Sequence, residues 1–154
     1  MKPLIFKTYI SVIKNGVGSR SFSNFYVSDK RKKIDVTENG RLSCAWFASA
    51  VLSLFSFIKA PHLTVKSVEK DLLKSGWYGV KKPKIGSVLI WEAVDFGKGD
   101  FHRHVGFYIG GGKAISNSSK LGYPVVHNWK FVDAKNKKGR RVEQILWYKK
   151  LDAR

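Results

Sequence analysis

Apolar positions recur at helical spacing in three places along this chain and at strand spacing in the rest. Ile5, Tyr9, Val12 and Ile13 lie three or four apart, which predicts a helix over residues 4–15 with Gly16 as its stop. Phe22, Phe25 and Val27 suggest a strand within Ser21 to Val27, and Ile34 and Val36 a short extended piece, with Asp29 to Lys33 a basic loop between them. Asn39-Gly40 is a turn signal. The most apolar run then begins at Cys44 and continues through Trp46, Phe47, Val51, Leu52, Leu54, Phe55, Phe57 and Ile58. With Ser43 of N-cap type ahead of it and Pro61 beyond, it predicts a buried helix from Cys44 to about Lys59. Thr64 is a second candidate N-cap, Val65, Val68, Leu72 and Leu73 share one face, Lys66, Lys70 and Lys74 form an exposed ridge, and Gly76 is the stop. Trp77 and Tyr78, which follow, suit either a core anchor or the wall of a cleft.

From residue 84 onward the pattern changes to strands. Lys84 to Trp91 reads as a turn and a buried strand, Asp95 to His102 as a polar loop, and His104 to Ile109 as a strand. Gly110-Gly111-Gly112-Lys113 is a hairpin turn, because a phosphate-cradling loop would end in Lys-Ser/Thr and open a helix. Ala114 to Asn117 returns, and Val125 to Trp129 and Val142 to Tyr148 are further strands, the last after the basic loop Lys135 to Arg141. Helices first and strands afterwards is an α+β layout, and 154 residues without repeats or linker composition fit a single domain.

Composition narrows the partners. Lys and Arg number 29 against 11 Asp and Glu, a formal charge of +18, where a small domain ordinarily carries a magnitude of about 2–8. Such a surface attracts polyanions: nucleic acid, an anionic membrane surface or an acidic cell-envelope polymer. One cysteine excludes an internal disulfide, and the four histidines, His62, His102, His104 and His127, show no metal-ligand spacing, so no metal or cofactor is expected. No segment is apolar for the roughly 18 residues of a membrane span, and the start of the chain, interrupted by Lys7 and Lys14, does not read as a signal peptide. The residues leave the compartment open.

The lone cysteine carries the candidate chemistry. At the first position of a helix a thiol meets unpaired backbone N–H groups and the positive end of the helix dipole, both of which favour the nucleophilic thiolate. Such a nucleophile needs a base, and the base needs a third group to orient it. His104, starting a strand at the edge of a polar loop, is the best base; His102 keeps the same parity and is its rival. The returning strand offers Ser116 and Asn117 as orienting groups, and His127 is a more distant alternative.

Cys44 opening an apolar helix, then Ile85-Gly86-Ser87-Val88, then His104-Val105-Gly106-Phe107-Tyr108-Ile109-Gly110 and a short returning strand, resembles the NlpC/P60 superfamily. These are papain-like cysteine peptidases and amidases, most of which cut peptide bonds in peptidoglycan stems; the related CHAP amidases share the Cys…His order. The likeness spans roughly residues 39 to 130, leaving 1–38 as an N-terminal extension. Ser43, Ala45 and Trp46 stand where the family usually has Asp before the cysteine and Ser-Gly after it, and Gly86-Ser87 where it has Gly-Asp. The resemblance implies a papain-like fold and a cysteine hydrolase of amide bonds without a cofactor, acting on a peptidoglycan-like peptide, with Cys44 as nucleophile and His104 as base. Ser116 holds the register at which many members place a second histidine. Asn117 points to the other face of a regular strand but matches papain-like Cys-His-Asn chemistry, and is preferred on that ground if a bulge turns it inward. Two alternatives stand beside this: a nucleic-acid-binding module using the basic clusters and Trp129, and an inactive relative that binds wall fragments.

Overall fold

The structure is a computed structural model and describes residues 1–153. The fold is α+β, with three helices, a six-stranded sheet in which every neighbouring pair is antiparallel, and a separate two-stranded sheet. Helix α1 (Ile5–Asn15) buries Tyr9 and Ile13. Strands β1 (Tyr26–Asp29) and β2 (Lys32–Asp35) form a hairpin whose two-residue turn replaces the longer basic loop expected over Asp29 to Lys33, while Ser21 to Phe25, expected as strand, is not. The two turn residues, Lys30 and Arg31, have φ of 45° and 67°, the left-handed pair that a two-residue hairpin needs. Neither residue is a glycine or asparagine, so the turn carried no compositional signal.

Helix α2 (Cys44–Leu54) is shorter than expected. Ser56 adopts φ 53°, the Ser56 N–H donates to Ser53 O and the Phe57 N–H to Leu52 O, closing the helix end in the paired pattern usually built on glycine. Phe57 and Ile58 are core residues beyond the helix, and Leu54, at its end, is 70% exposed. Helix α3 (Val65–Lys74) ends the same way, this time on Gly76, and begins as predicted with Thr64 Oγ1 accepting from the Ser67 N–H at 3.2 Å. Val65, Val68 and Leu72 are buried, whereas Leu73 faces solvent. Trp77 is a core anchor: its indole N–H donates to Phe57 O at 2.9 Å and its ring stacks on Tyr148.

Six strands follow: β3 (Tyr78–Gly79), β4 (Val88–Asp95), β5 (Phe101–Gly110), β6 (Lys113–Ser118), β7 (Tyr123–Asn128) and β8 (Val142–Trp147). They pair in the order β3-β8-β4-β5-β6-β7, so the last strand enters between the first two. A short 3₁₀ turn, Lys149–Asp152, closes the chain. Pleat alternation gives the sheet two apolar faces. Val88, Ile90, Val105, Phe107, Ile115 and Leu146 pack against the three helices in the main core. Leu89, Trp91 and Ala114 face the other way, covered by Trp129 and Phe131. The N-terminal segment belongs to the same body, for Tyr9 Oη donates to Gly86 O and the Gly18 N–H to Pro124 O. Arg103 of β5 is paired with Glu69 of α3 at 2.6 Å and Glu143 of β8 at 2.9 Å, tying helix to sheet beside the site. No helix among the described residues is long and apolar enough to cross a membrane.

Two close backbone approaches place the site. At Gly106 a Cβ would stand 2.6 Å from both Ile115 O and Ser116 Cβ, so β5 and β6 run together only because this residue is glycine. At Gly40 (φ 94°) a Cβ would lie 2.1 Å from Gly122 O, which presses the loop leading into α2 against the β6–β7 turn. Gly40→Ala combines left-handed strain with overpacking and is expected to cost about 2–4 kcal/mol. Gly79→Ala, which meets nothing within 4 Å, is expected to stay within about 0.5 kcal/mol of the parent. Urea midpoints of the two variants check this, and equal midpoints would refute it.

Candidate active site

Cys44 is the first residue of α2 and is half-buried. Ser43 precedes it at the N-cap position but makes no side-chain cap bond; its Oγ is buried without a partner, so the expected capping serine is not one. The sulfur faces the backbone N–H groups of Val105, Ala45 and Cys44 itself, and Arg140 lies within electrostatic reach. All of these favour the thiolate, as expected. Burial nevertheless outweighs them and pushes the Cys44 thiol above its ordinary value. Burial thus opposes the thiolate that the helix start favours.

His104 sits on β5, 8% exposed, with Nε2 2.8 Å from Ser116 Oγ. Ser116 is opposite Gly106 in the β5–β6 ladder, and the missing Cβ at Gly106 lets the imidazole reach diagonally across it. Burial first, then the charges of Arg140 and His127, hold the imidazole well below its ordinary value, so it is neutral. Cys44, His104 and Asn117 line one cavity of about 490 Å³, whose walls also include Arg41, Val65, Phe96 and Arg103. The sulfur and the imidazole share this cavity without a hydrogen bond between them.

Asn117 does not orient His104. The β6–β7 pairing runs without a shift from Lys113 to Ser118, so no bulge turns Asn117 inward. It keeps the helix-side face, where Nδ2 donates to Gly40 O at 2.6 Å and braces the loop before Cys44. It is Ser116, not Asn117, whose side chain is hydrogen-bonded to His104. His102, the rival base, lines the same cavity but its Nε2 is engaged by Asp100 Oδ1 at 2.7 Å. His127 is close after all: its Nε2 lies 2.7 Å from Ser116 Oγ, its Nδ1 2.7 Å from Asn128 O, and its ring stacks on Phe131 at 4.0 Å. Burial again leads in holding it below the ordinary value. His62 is elsewhere, bonded to Asp71 at 2.6 Å, where Asp71 also collects the Lys59 and Ala60 N–H groups.

Sequence reasoning missed Arg140, which it left within a solvated basic loop. Between Trp91 and Val94, β4 carries a bulge against β5, and there the Glu92 carbonyl accepts from Arg140 Nε at 2.9 Å. Arg140 Nη2 donates to His102 O at 2.7 Å, and the guanidinium lies 5.9 Å from the centre of the Phe131 ring. No carboxylate lies within salt-bridge distance of it among the described residues, although Glu92 and Glu143 act on it from further away. Nothing in the spacing of the run Lys135 to Arg141 distinguishes this residue from its neighbours; its role follows from where β8 enters the sheet. A smaller cavity of about 170 Å³ joins His104, Ser116, His127, Phe131 and Arg140 on the side away from α2.

No family model matches the chain, and no curated protein matches it in sequence. Among the described residues no group of three His, Cys, Asp or Glu side chains is arranged to hold a metal ion. The groups gathered at the site are a half-buried thiol, a buried imidazole and a half-buried guanidinium.

The two depressed histidines make stability depend on pH. Both titrate near 6.5 when unfolded, and neither takes its proton in the fold until the pH is lower. Their stabilisation is complete above about pH 6.5 and is lost as pH falls toward the folded values, by up to about 1.4 kcal/mol per pH unit for each. Urea midpoints should drop between pH 7 and pH 5, and drop less in His104→Gln. Equal drops would show that His104 is not held neutral by the fold.

Proposed function

We propose that this protein is a cysteine hydrolase of amide bonds, with the papain-like arrangement of the NlpC/P60 superfamily, acting on peptidoglycan-like peptides. The observation that carries the reading is the shared cavity. A helix-start thiol and a buried imidazole line it together, with a polar side chain behind the imidazole and backbone N–H groups facing the sulfur. His104 Nε2 is engaged with Ser116, which leaves Nδ1 to act as base. Both partners are neutral at rest, so the proton moves when substrate arrives. The Cys44 S–H bond breaks, His104 gains an N–H, and the sulfur attacks the carbonyl carbon. The Cys44 backbone N–H stabilises the oxyanion. The tetrahedral species collapses as the leaving amine takes the proton from His104. Water, deprotonated in turn by His104, then hydrolyses the thioester and restores the thiol.

The chain's formal charge of +18 favours anionic peptides or acidic polymers. Incubation with purified peptidoglycan, followed by assay of newly released amino groups, tests the reading. Cys44→Ala and His104→Ala should each lower the rate at least about a thousandfold. No release by the parent protein, or full release by Cys44→Ala, would overturn it.

A second reading, a nucleic-acid interface, has one specific observation in its favour. A surface groove of about 370 Å³ is lined by Trp129, Lys130, Lys138 and Arg141, with Lys130 Nζ 4.9 Å from the Trp129 ring centre. An aromatic face among cations is the element that stacks and neutralises single strands. Under this reading a single-stranded oligonucleotide binds at low salt, weakens steeply with added salt, weakens again in Trp129→Ala, and is indifferent to Cys44→Ala. No binding at low salt removes it.

A further inference from the structure

Buried His104 and Ser116 and half-buried His127 form a hydrogen-bonded chain whose proton positions can be deduced from one fixed end. His127 Nδ1 lies 2.7 Å from Asn128 O. A carbonyl only accepts, so Nδ1 carries a hydrogen. Burial and Arg140 keep the His127 ring neutral, so Nε2 is bare and is an acceptor. Its partner at 2.7 Å, Ser116 Oγ, must then donate its single hydrogen to His127. With that hydrogen spent, Ser116 Oγ can only accept from its other partner, His104 Nε2, at 2.8 Å. His104 Nε2 is therefore protonated and Nδ1 is bare.

We propose that His127 is a positioning residue, acting through Ser116 to hold His104 in the tautomer that presents an unprotonated Nδ1 to Cys44. The catalytic role of that tautomer rests on the hydrolase reading above; the hydrogen-bond chain itself does not. The ordinary third member of such a site orients the base directly. Here a hydroxyl stands in the third place and has no preferred direction of its own, since it rotates to suit its partners. The direction comes from the Asn128 carbonyl, two bonds further out, relayed by an imidazole held against Phe131 with ring centres 4.0 Å apart. Trp91, 5.4 Å from the His104 ring and 5.7 Å from the His127 ring, packs beside both. Each hydrogen bond in such a chain strengthens its neighbours, which raises the basicity of the terminal nitrogen.

Side-chain ¹⁵N spectra of the full chain, with His104 assigned through His104→Gln, read the tautomer directly. The parent is expected to show His104 protonated at Nε2. His127→Phe keeps an aromatic ring but removes the acceptor; it is expected to mix the two His104 tautomers and to lower kcat about 10–100-fold with KM within about twofold. His127→Gln, whose amide oxygen accepts from Ser116, should restore both the tautomer and most of kcat. Should His127→Phe fail to fold, Ser116→Ala reads the same loss. His104 protonated at Nδ1 in the parent, or a His127→Phe protein that keeps both tautomer and kcat, overturns the proposal. A chain that cleaves no amide yet shows the Nε2–H tautomer, lost in His127→Phe, supports the relay while retiring the hydrolase reading.

Discussion

Strands β5 and β6 approach each other at Gly106 more closely than any side chain would permit, and the candidate site is built on that contact. A methyl group there would meet Ile115 O and Ser116 Cβ at 2.6 Å. Because nothing intervenes, an imidazole from one strand lies against a hydroxyl two residues along the other, in a place almost closed to water. The helix face of the same strands supplies the opposing wall: Val105 and Phe107 pack under α2, which sets the start of that helix beside the Val105 backbone. Asn117, one residue beyond the hydroxyl, braces the incoming loop through Gly40.

Burial then decides the electrostatics. The start of α2 provides the N–H groups that ordinarily lower a thiol, yet desolvation of the sulfur is the larger effect, and the same holds for the two imidazoles. Arg140 enters the same region held by two backbone carbonyls and no carboxylate. Its charge disfavours further positive charge on the histidines and favours negative charge on the sulfur, with Glu92 and Glu143 acting on it from beyond salt-bridge distance. Burial thus disfavours charge on both Cys44 and His104, while Arg140 favours a negative sulfur and disfavours a positive imidazole.

How far the residues themselves foretold this can be judged element by element. Thr64 and Gly76 bracketed α3 because caps are local, and the glycine run marked the β5–β6 hairpin for the same reason. Strand parity places Ser116 on the His104 face and Asn117 on the other, which is where their hydrogen bonds are found. The β1–β2 turn was hidden because Lys30 and Arg31 take left-handed conformations that composition does not signal. The early end of α2 rests on Ser56 in the same way. Arg140 could not be singled out, since its place depends on a bulge in β4 and on the entry of β8 beside it, both of them tertiary facts.

The position of β8 also bears on how the molecule is made. Its partners β3 and β4 are synthesised long before it, and β4 carries an unbroken apolar stretch, Val88 to Trp91, along the border that β8 later covers. A ribosome that has delivered β4 to β7 has thus exposed a sticky, half-paired edge before the cationic loop and β8 have been made. Closure of the sheet must wait for the C-terminal segment, and with it the arrival of Arg140. Until β8 has been made, the nascent chain has its thiol but lacks the surroundings that govern it.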